Sequence, residues 1–450
     1  FFMRLRTIVI IVIGLTAAVA IGYFLGAFPL ANFVMLLEVA GVLVAIYRPR
    51  LGLYVMFLLI PLQNLVTLAS GATLVRVVGI VVFLAWVLNR LFQRKPLRTL
   101  FAKPILLPML AFFVLAFISA FWSKTSLWQQ TLFTYIQLGA WAIMLMDLVD
   151  SFEYLEHAML WVFVGSLVGA LLSVYEFNTQ VAGWQFGQRG RGGFDDPNYS
   201  SAMFMFIMPY VFHRIRYDRG LQKLVWVAGA MILLTGVAYT VSRTGLLSIL
   251  ILLAGQFVIF SKTQSRLKYV LLVVILLLIT SPLWPWENIF YRFSIAWTGG
   301  QQQDLGERVG NLQLGWKIFS RYPLRGQGLG YPPGQDVIHN TFLGIATQIG
   351  ILGFALMFWM WLTTWRSLTK AQKQAAAFAE ERQFNLISTL QLTALVYLFF
   401  SFSLATEVSR PLWLLFALGG ICYSIVREKQ KAQEPKRSPV QLSPARRPLS

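Results

Sequence analysis

The sequence predicts an all-α protein, a polytopic bundle of about 12–14 transmembrane helices with a long outer loop that carries an amphipathic helix. Three observations predict it. Hydrophobic residues make up 57% of the chain and charged residues 12%, with a mean hydropathy of +0.65, more apolar surface than a soluble fold can bury. The apolar residues come in runs of about 18–22, enough to cross about 30 Å of hydrocarbon at 1.5 Å per residue. Short basic segments separate the runs and, as the chain crosses back and forth, fall on one side.

The runs place spans near 7–27, 29–47, 51–69, 74–92, 104–122, 130–148, 154–175, 199–213, 223–241, 244–261, 267–286, 339–365, 385–402 and 411–426. One of the first four could instead be re-entrant. Thr7–Ala27 is long enough to span and is followed at once by a second run, so it does not read as a cleavable signal peptide. With the N-terminus cytoplasmic, the basic segments around Arg48, Arg90–Lys103, His213–Lys223, Ser261–Lys268, Arg366–Arg382 and after Arg427 all fall on the cytoplasmic face. That placement explains the net charge of +20 without nucleic acid as a partner. The bundle thus occupies 1–426, and the Pro-, Lys- and Arg-rich stretch 427–450 reads as a disordered cytoplasmic tail. The single cysteine, Cys422, lies within the last span, which leaves neither a disulfide framework nor a thiolate metal site.

Two long outer segments remain, 176–198 and 287–338. In the second, Asp304 and Glu307 have the spacing of a capping box. Leu305, Val309, Leu312, Trp316 and Phe319 then recur every three or four residues until Pro323. Arg308, Asn311 and Arg321 occupy the opposite face, so this helix should lie along the membrane surface or against the bundle.

The outer face holds nine arginines (Arg76, Arg189, Arg191, Arg243, Arg292, Arg308, Arg321, Arg325 and Arg410) and two lysines, Lys124 and Lys317. The cytoplasmic side carries 17 arginines to 10 lysines. A guanidinium stays charged and binds phosphate or carboxylate through paired hydrogen bonds, so an arginine-rich outer face points to a large anion. Snorkelling to headgroups, or pairing with Asp195, Asp196, Asp304, Glu307 or Asp336, accounts for some of them. Arg243 sits in a tight polar break between two spans, where an unpaired charge is costly. Glu38 is the one carboxylate near the middle of a span, either a proton-relay group or a paired structural residue.

Of the three histidines only His339 is on the outer side, at the start of a span, where the helix dipole favours a neutral imidazole able to accept a proton. A satisfied interfacial histidine explains it equally well. No metal site stands out, because the pair Asp195–Asp196 lacks histidine company. Gly326-Gln327-Gly328-Leu329-Gly330 would let backbone approach an anion, a weak signal by itself.

Four segments together resemble the O-antigen ligase and polymerase family. Gly193-Phe194-Asp195-Asp196-Pro197-Asn198-Tyr199 resembles its loop-to-span segment ending in Pro-Asn, and Ser242-Arg243-Thr244-Gly245 its Ser-Arg-x-(Gly/Ala) break. Glu307-Arg308, Trp316 and Pro323-Leu324-Arg325-Gly326-Gln327-Gly328 resemble parts of its long periplasmic loop. His339-Asn340-Thr341-Phe342-Leu343, followed by Gly350-Ile351-Leu352-Gly353, resembles the start of the next span. The likeness covers roughly 190–365; Thr244 departs from the commoner small residue, and fourteen spans exceed the twelve usual of ligases.

The resemblance implies a bacterial inner-membrane glycosyltransferase with both termini cytoplasmic and its site periplasmic. Its donor would be a polyprenyl-pyrophosphate-linked glycan and its acceptor a glycolipid or glycan hydroxyl, within membrane lipid. Arg243 and Arg308 would hold the donor diphosphate and His339 would activate the acceptor. Asn340, Arg325, Arg191, Asn198 and Glu307 would give support, and no cofactor or divalent metal is implied. Two other classes fit the composition: a secondary transporter for a small anion such as bicarbonate, using Glu38 and the arginines, and a non-catalytic scaffold subunit. Against transport, the halves show no internal repeat and no paired broken helices.

Overall fold

A computed structural model describes residues 48–65, 73–94, 98–179, 188–259, 263–298, 305–331, 337–378 and 380–433. The expected spans 7–27 and 29–47, with Glu38, lie outside the described residues, as does the tail beyond Gln433. The described residues form α-helices joined by short turns, with no β-strand among them.

The helices, numbered here in chain order, are α1 (Pro49–Leu59), α2 (Leu74–Phe92), α3 (Arg98–Phe101), α4 (Leu106–Ala120) and α5 (Trp128–Leu148). They continue as α6 (Phe152–Thr179), α7 (Pro197–Tyr217), α8 (Gly220–Tyr239), α9 (Arg243–Ile259) and α10 (Thr263–Thr280). The chain ends with α11 (Trp286–Thr298), α12 (Leu305–Arg321), α13 (Thr341–Ala377), α14 (Glu381–Ser401) and α15 (Arg410–Gln433). Each span expected from residue 74 onward corresponds to one of these helices, and α1 covers the first part of the span expected at 51–69. Seven are long and apolar enough to cross a membrane, and three more apolar stretches, Pro49–Leu62, Leu106–Ala120 and Arg243–Gln256, are shorter. This is a polytopic helical membrane protein. α15 continues to Gln433, past the expected boundary at Val426.

α7 is the central post. Ala202 to Met208 and Tyr210 to Phe212 are buried on every side, the mark of a helix enclosed by other helices. α7 packs against α6, α8, α9 and α14, while α13 packs against α4, α12, α14 and α15. Close approach depends on small residues: a Cβ at Gly236 of α8 would lie 2.5 Å from the Cβ of Ala170 in α6.

The two ends of the bundle differ chemically. Ion pairs collect at one end: Arg50–Asp150 at 2.5 Å, Arg90–Asp147 at 2.7 Å, Arg214–Asp218 at 2.7 Å and Arg382–Glu156 at 2.6 Å. The His157 and His213 side chains lie there too, packed on tyrosines. The other end gathers the turns 60–65, 121–127, 188–196, 240–243, 322–331, 337–341 and 402–409, cross-linked mostly through hydrogen bonds to backbone. The segments singled out in the sequence lie at this second end.

α11 is an element that sequence patterning missed. The chain bends by 99° between Val270–Leu283 and Trp286–Ser294. Trp284, Trp286 and Phe290 stack in series, with Trp286, Phe290 and Tyr291 exposed and Ile289 buried. An aromatic helix lying across the end of a span suits the membrane interface.

Candidate functional site

The site end is built around Asn198, at the start of α7. Asp196 caps this helix by accepting from the Asn198 backbone N–H at 2.7 Å, and it also accepts from the Asn198 side-chain amide at 2.8 Å. Asn198 Oδ1 is thereby turned toward α9, where it accepts from Ser242 Oγ at 2.8 Å and from Arg189 Nη2 at 3.0 Å. Ser242 Oγ in turn accepts from the Gly245 backbone N–H at 3.2 Å, which caps the first turn of α9. A Cβ at Gly245 would meet the Ser201 Cβ at 2.7 Å, so α7 and α9 touch at this point. The Pro-Asn and Ser-Arg-Thr-Gly segments therefore form one hydrogen-bonded unit. Val241, just before it, has φ of 48°, a left-handed conformation that a β-branched residue rarely adopts. That kink sets Arg243, half-buried, as the first residue of α9.

The loop before α7 is fixed to α6. Glu176 accepts from the backbone N–H groups of Arg191 and Gly192 at 2.5 and 2.9 Å, and Ser200 Oγ donates to the Arg191 carbonyl. Arg191 is half-buried, and its guanidinium has no hydrogen-bond or ion-pair partner among the described residues. Arg189, by contrast, is buried and also donates through Nε to the Thr240 carbonyl at 2.9 Å. Its role is to tie the loop to the α8–α9 break.

His339 stands just ahead of α13 rather than in its first turn. Asn340 is the cap, its Oδ1 accepting from the Leu343 N–H at 2.9 Å, so the helix begins at Thr341. The other side of the Asn340 amide donates to the Phe402 carbonyl at 3.1 Å. Thr341 Oγ1 contacts the Leu404 carbonyl at 2.8 Å and Thr406 Oγ1 at 2.7 Å. Tyr199 Oη donates to the Ala405 carbonyl at 2.9 Å. Consecutive contacts thus run from Ser242 through Asn198 and Tyr199 to the 402–406 turn, and from there to Thr341 and Asn340. They bind the starts of α7, α9 and α13 into one polar layer.

α12 begins at Leu305 and packs on α13, directly after Asp304, which lies outside the described residues together with the Glu307 side chain. A Cβ at Gly315 would lie 2.9 Å from Leu343 and 3.3 Å from Ile338, so this helix crosses close to the residues flanking His339. Asn311 and Gly315 are buried and Arg308 is half-buried, whereas Val309, Leu312 and Trp316 are exposed. Arg308 and Asn311 of the polar stripe are therefore turned to the protein while Arg321 is exposed, and Val309, Leu312 and Trp316 of the apolar stripe are left for lipid. Arg308 lies two turns before Gly315, about 10 Å along the axis.

The glycine-rich loop has a structural task. α13 breaks at Gly350, where φ is 83° and ψ is −171°. The peptide groups freed there are taken up by the loop: Gln327 N–H donates to the Thr347 carbonyl at 2.8 Å, Gly328 N–H to Gln348 at 3.1 Å, and Ile351 N–H to Pro323 at 2.8 Å. A Cβ at Gly350 would lie 2.2 Å from the Leu324 carbonyl oxygen, and one at Gly326 would lie 2.4 Å from that of Gln348. Gly326 and Gly350 bring backbone against backbone. Arg325 is exposed, over the Tyr322 ring at 5.7 Å, and its carbonyl accepts from Trp122 Nε1 at 3.2 Å.

Sequence reasoning passed over Glu407. It lies in a 3-10 turn, Thr406–Val408, is 1% exposed, and its Oε2 has no hydrogen-bond partner among the described residues. Burial pushes its carboxyl up to about 8 against weaker opposition from hydrogen bonds to its own backbone and to Thr341, so the group is largely protonated at neutral pH. Burial also raises the Tyr331 phenol, with the Glu407 charge a further cause. A Cβ at Gly344 would touch both groups, at 2.8 and 3.4 Å. The available signal was that Glu407 is the one acid between Arg382 and Arg427.

A cavity of about 660 Å³ lies at the ion-paired end, lined by Arg50, Arg90, Asp147, Asp150 and His157. None of the motif residues lines it.

The family model described as O-antigen ligase matches residues 228–358, which run from within α8 through the α9 break and α12 into α13. Over this segment the chain is similar to the O-antigen ligase family. No curated protein matches the chain significantly. The O-antigen ligase segment includes Arg243, Arg308, Arg325, His339 and Asn340; Arg191 and Asn198 fall outside it. Asn198 is joined to it through Ser242.

Proposed function

We propose that this protein transfers a glycan from a polyprenyl-pyrophosphate donor to a sugar hydroxyl, on the extracytoplasmic face of a bacterial inner membrane. The acceptor is a lipid-borne core sugar for a ligase or another lipid-linked chain for a polymerase. The observation that carries this reading is the polar layer joining the starts of α7, α9 and α13, at the end opposite the ion pairs of Arg50, Arg90, Arg214 and Arg382.

Arg243 and Arg308 hold the diphosphate and stabilise the charge that grows on it as the anomeric C–O bond breaks. The His339 imidazole takes the proton of the acceptor hydroxyl as its oxygen attacks the anomeric carbon from the opposite face. The new glycosidic bond is inverted, and polyprenyl diphosphate departs with the bonding electron pair. Guanidinium groups neutralise that leaving group, so the step needs no divalent metal. Arg191, with an uncommitted guanidinium, is placed to contact donor sugars or phosphate. Arg325, Asn340, Asn198 and Glu307 support the loop and helix starts. The alternative of anion transport drew on Glu38 and the arginines, and Glu38 lies outside the described residues.

The test is glycan transfer by purified protein in vesicles loaded with lipid-linked donor. His339→Ala is expected to abolish transfer while donor binding persists, and normal transfer by that variant removes the proposed base. Arg243→Lys and Arg308→Lys should recover little activity, because the paired hydrogen bonds are lost even though the charge is kept.

A further inference from the structure

A second cavity, of about 390 Å³, opens between α1, α2, α5 and the start of α15. It contains none of Arg243, Arg308 or His339, and it is separated from them by the 406–408 turn: Thr406 faces Thr341, while Val408 lines the cavity. Two arginines, Arg76 and Arg410, stand on its wall. Each lies in the first turn of a helix, where the dipole disfavours a cation, and they are close enough to repel one another. Neither has a carboxylate within ion-pair distance among the described residues. Arg410 is held by a neutral acceptor, Gln63 Oε1.

Apart from Thr134, whose hydroxyl donates to the Gln130 carbonyl, the remaining polar lining offers donors without acceptors. Trp141 is 6% exposed, and its indole N–H lacks a partner among the described residues. Arg76 Nε and the Gln137 amide nitrogen are buried and equally unsatisfied. Two like charges and a set of orphaned N–H groups converge on one space, an arrangement that costs several kcal/mol unless an anion fills it. The rest of the wall is apolar, and its rim, with Ile80, Phe133 and Ile136, is exposed on the outward faces of α2 and α5. Both helices are long and apolar enough to span, so that rim faces hydrocarbon.

We propose that this cavity binds one anionic phospholipid. Its phosphate accepts from Arg76, Arg410, Gln137 and Trp141, and an acyl chain runs along Ile80 and Phe133. A soluble phosphate would satisfy the donors but leave the apolar groove exposed to lipid without a fitted occupant. The bound lipid joins the starts of α2 and α15 and so steadies the 406–410 turn beside Thr341. The site stands or falls independently of the transferase reading.

The experiment uses the full chain in neutral detergent, with native mass spectrometry and thermal unfolding as readouts. Phosphatidylglycerol is expected to bind about tenfold tighter than phosphatidylcholine, about 1.4 kcal/mol, and to raise the unfolding midpoint. Arg76→Gln and Arg410→Gln should each lower phosphatidylglycerol affinity about tenfold and cancel the rise in midpoint. Arg50→Gln, at the ion-paired end, should change neither. Equal binding of the two lipids by the unaltered chain overturns the proposal without recourse to any variant. So does full displacement of phosphatidylglycerol by millimolar inorganic phosphate, which would mark a free-anion site. An equal loss in Arg50→Gln would reduce the effect to non-specific charge and overturn it as well.

Discussion

Glu407 shows how burial alone can set the state of one residue. Its carboxyl keeps its proton in the folded chain up to about pH 8, whereas an unfolded chain loses that proton near its ordinary value of 4.5. The unfolded state therefore binds fewer protons between these limits, and the group's contribution to stability falls as pH rises from about 4.5 to about 8, then levels off. Glu407→Gln keeps the shape and the neutral state. The variant's unfolding midpoint should lose this part of the decline and exceed that of the unaltered chain at pH 8 and above. An unchanged pH profile would show that Glu407 is ionised in the fold. Asn198 is a second residue whose environment makes a quantitative demand. Asn198→Ala would deprive buried Arg189 and Ser242 of their shared acceptor, at a cost of about 1–3 kcal/mol, measurable as a lower unfolding midpoint.

At the scale of elements, the break in α13 and the glycine-rich loop form one unit. Three backbone hydrogen bonds cross between them, and Gly350 has a positive φ that places its carbon against the Leu324 carbonyl. Gly350→Ala combines backbone strain with a 2.2 Å contact to backbone that cannot rotate away. It should destabilise the protein by about 2 kcal/mol or more and loosen the loop, seen as faster cleavage by protease near residues 322–331. Gly310→Ala is the control: a Cβ there meets nothing within 4 Å, and the helix should gain slightly. α12 behaves differently from either expectation for an amphipathic helix alone. It both packs on α13 through Asn311 and Gly315 and offers Trp316 outward, so it joins the bundle to the lipid surface.

For the whole molecule, the basic segments at the end that holds Arg50, Arg90, Arg214 and Arg382 predict sidedness. Cys422 is buried and can be replaced by Ser to give a background without accessible thiols. Leu324 and Leu221 are both strongly exposed and belong to opposite ends. In intact cells an impermeant maleimide should label Leu324→Cys at once and Leu221→Cys only after the membrane is opened. The reverse pattern would invert the topology and place the proposed site in the cytoplasm.

Apolar run length determined the helices, because a chain in hydrocarbon must satisfy its own peptide groups and helices are the way to do so locally. Arg243 and His339 stood out for the same reason, at polar breaks that interrupt those runs, whereas Arg308, Arg325 and Asn340 entered as candidates through the family resemblance. The partnership of Asn198 with Ser242 and the tie from Asn340 to the Phe402 carbonyl were not legible, since they join residues far apart in sequence through side-chain geometry. α11 escaped because its aromatic residues follow a span without a polar break long enough to signal a turn of 99°. Only tertiary packing decided that the glycines of 326–330 serve a broken helix and that Glu407 is neutral. It also set Arg76 and Arg410, which no sequence spacing relates, facing one cavity. Hydrophobicity is a local sum that a sequence states directly, whereas the burial, pairing and protonation of polar groups depend on which distant neighbours the fold supplies.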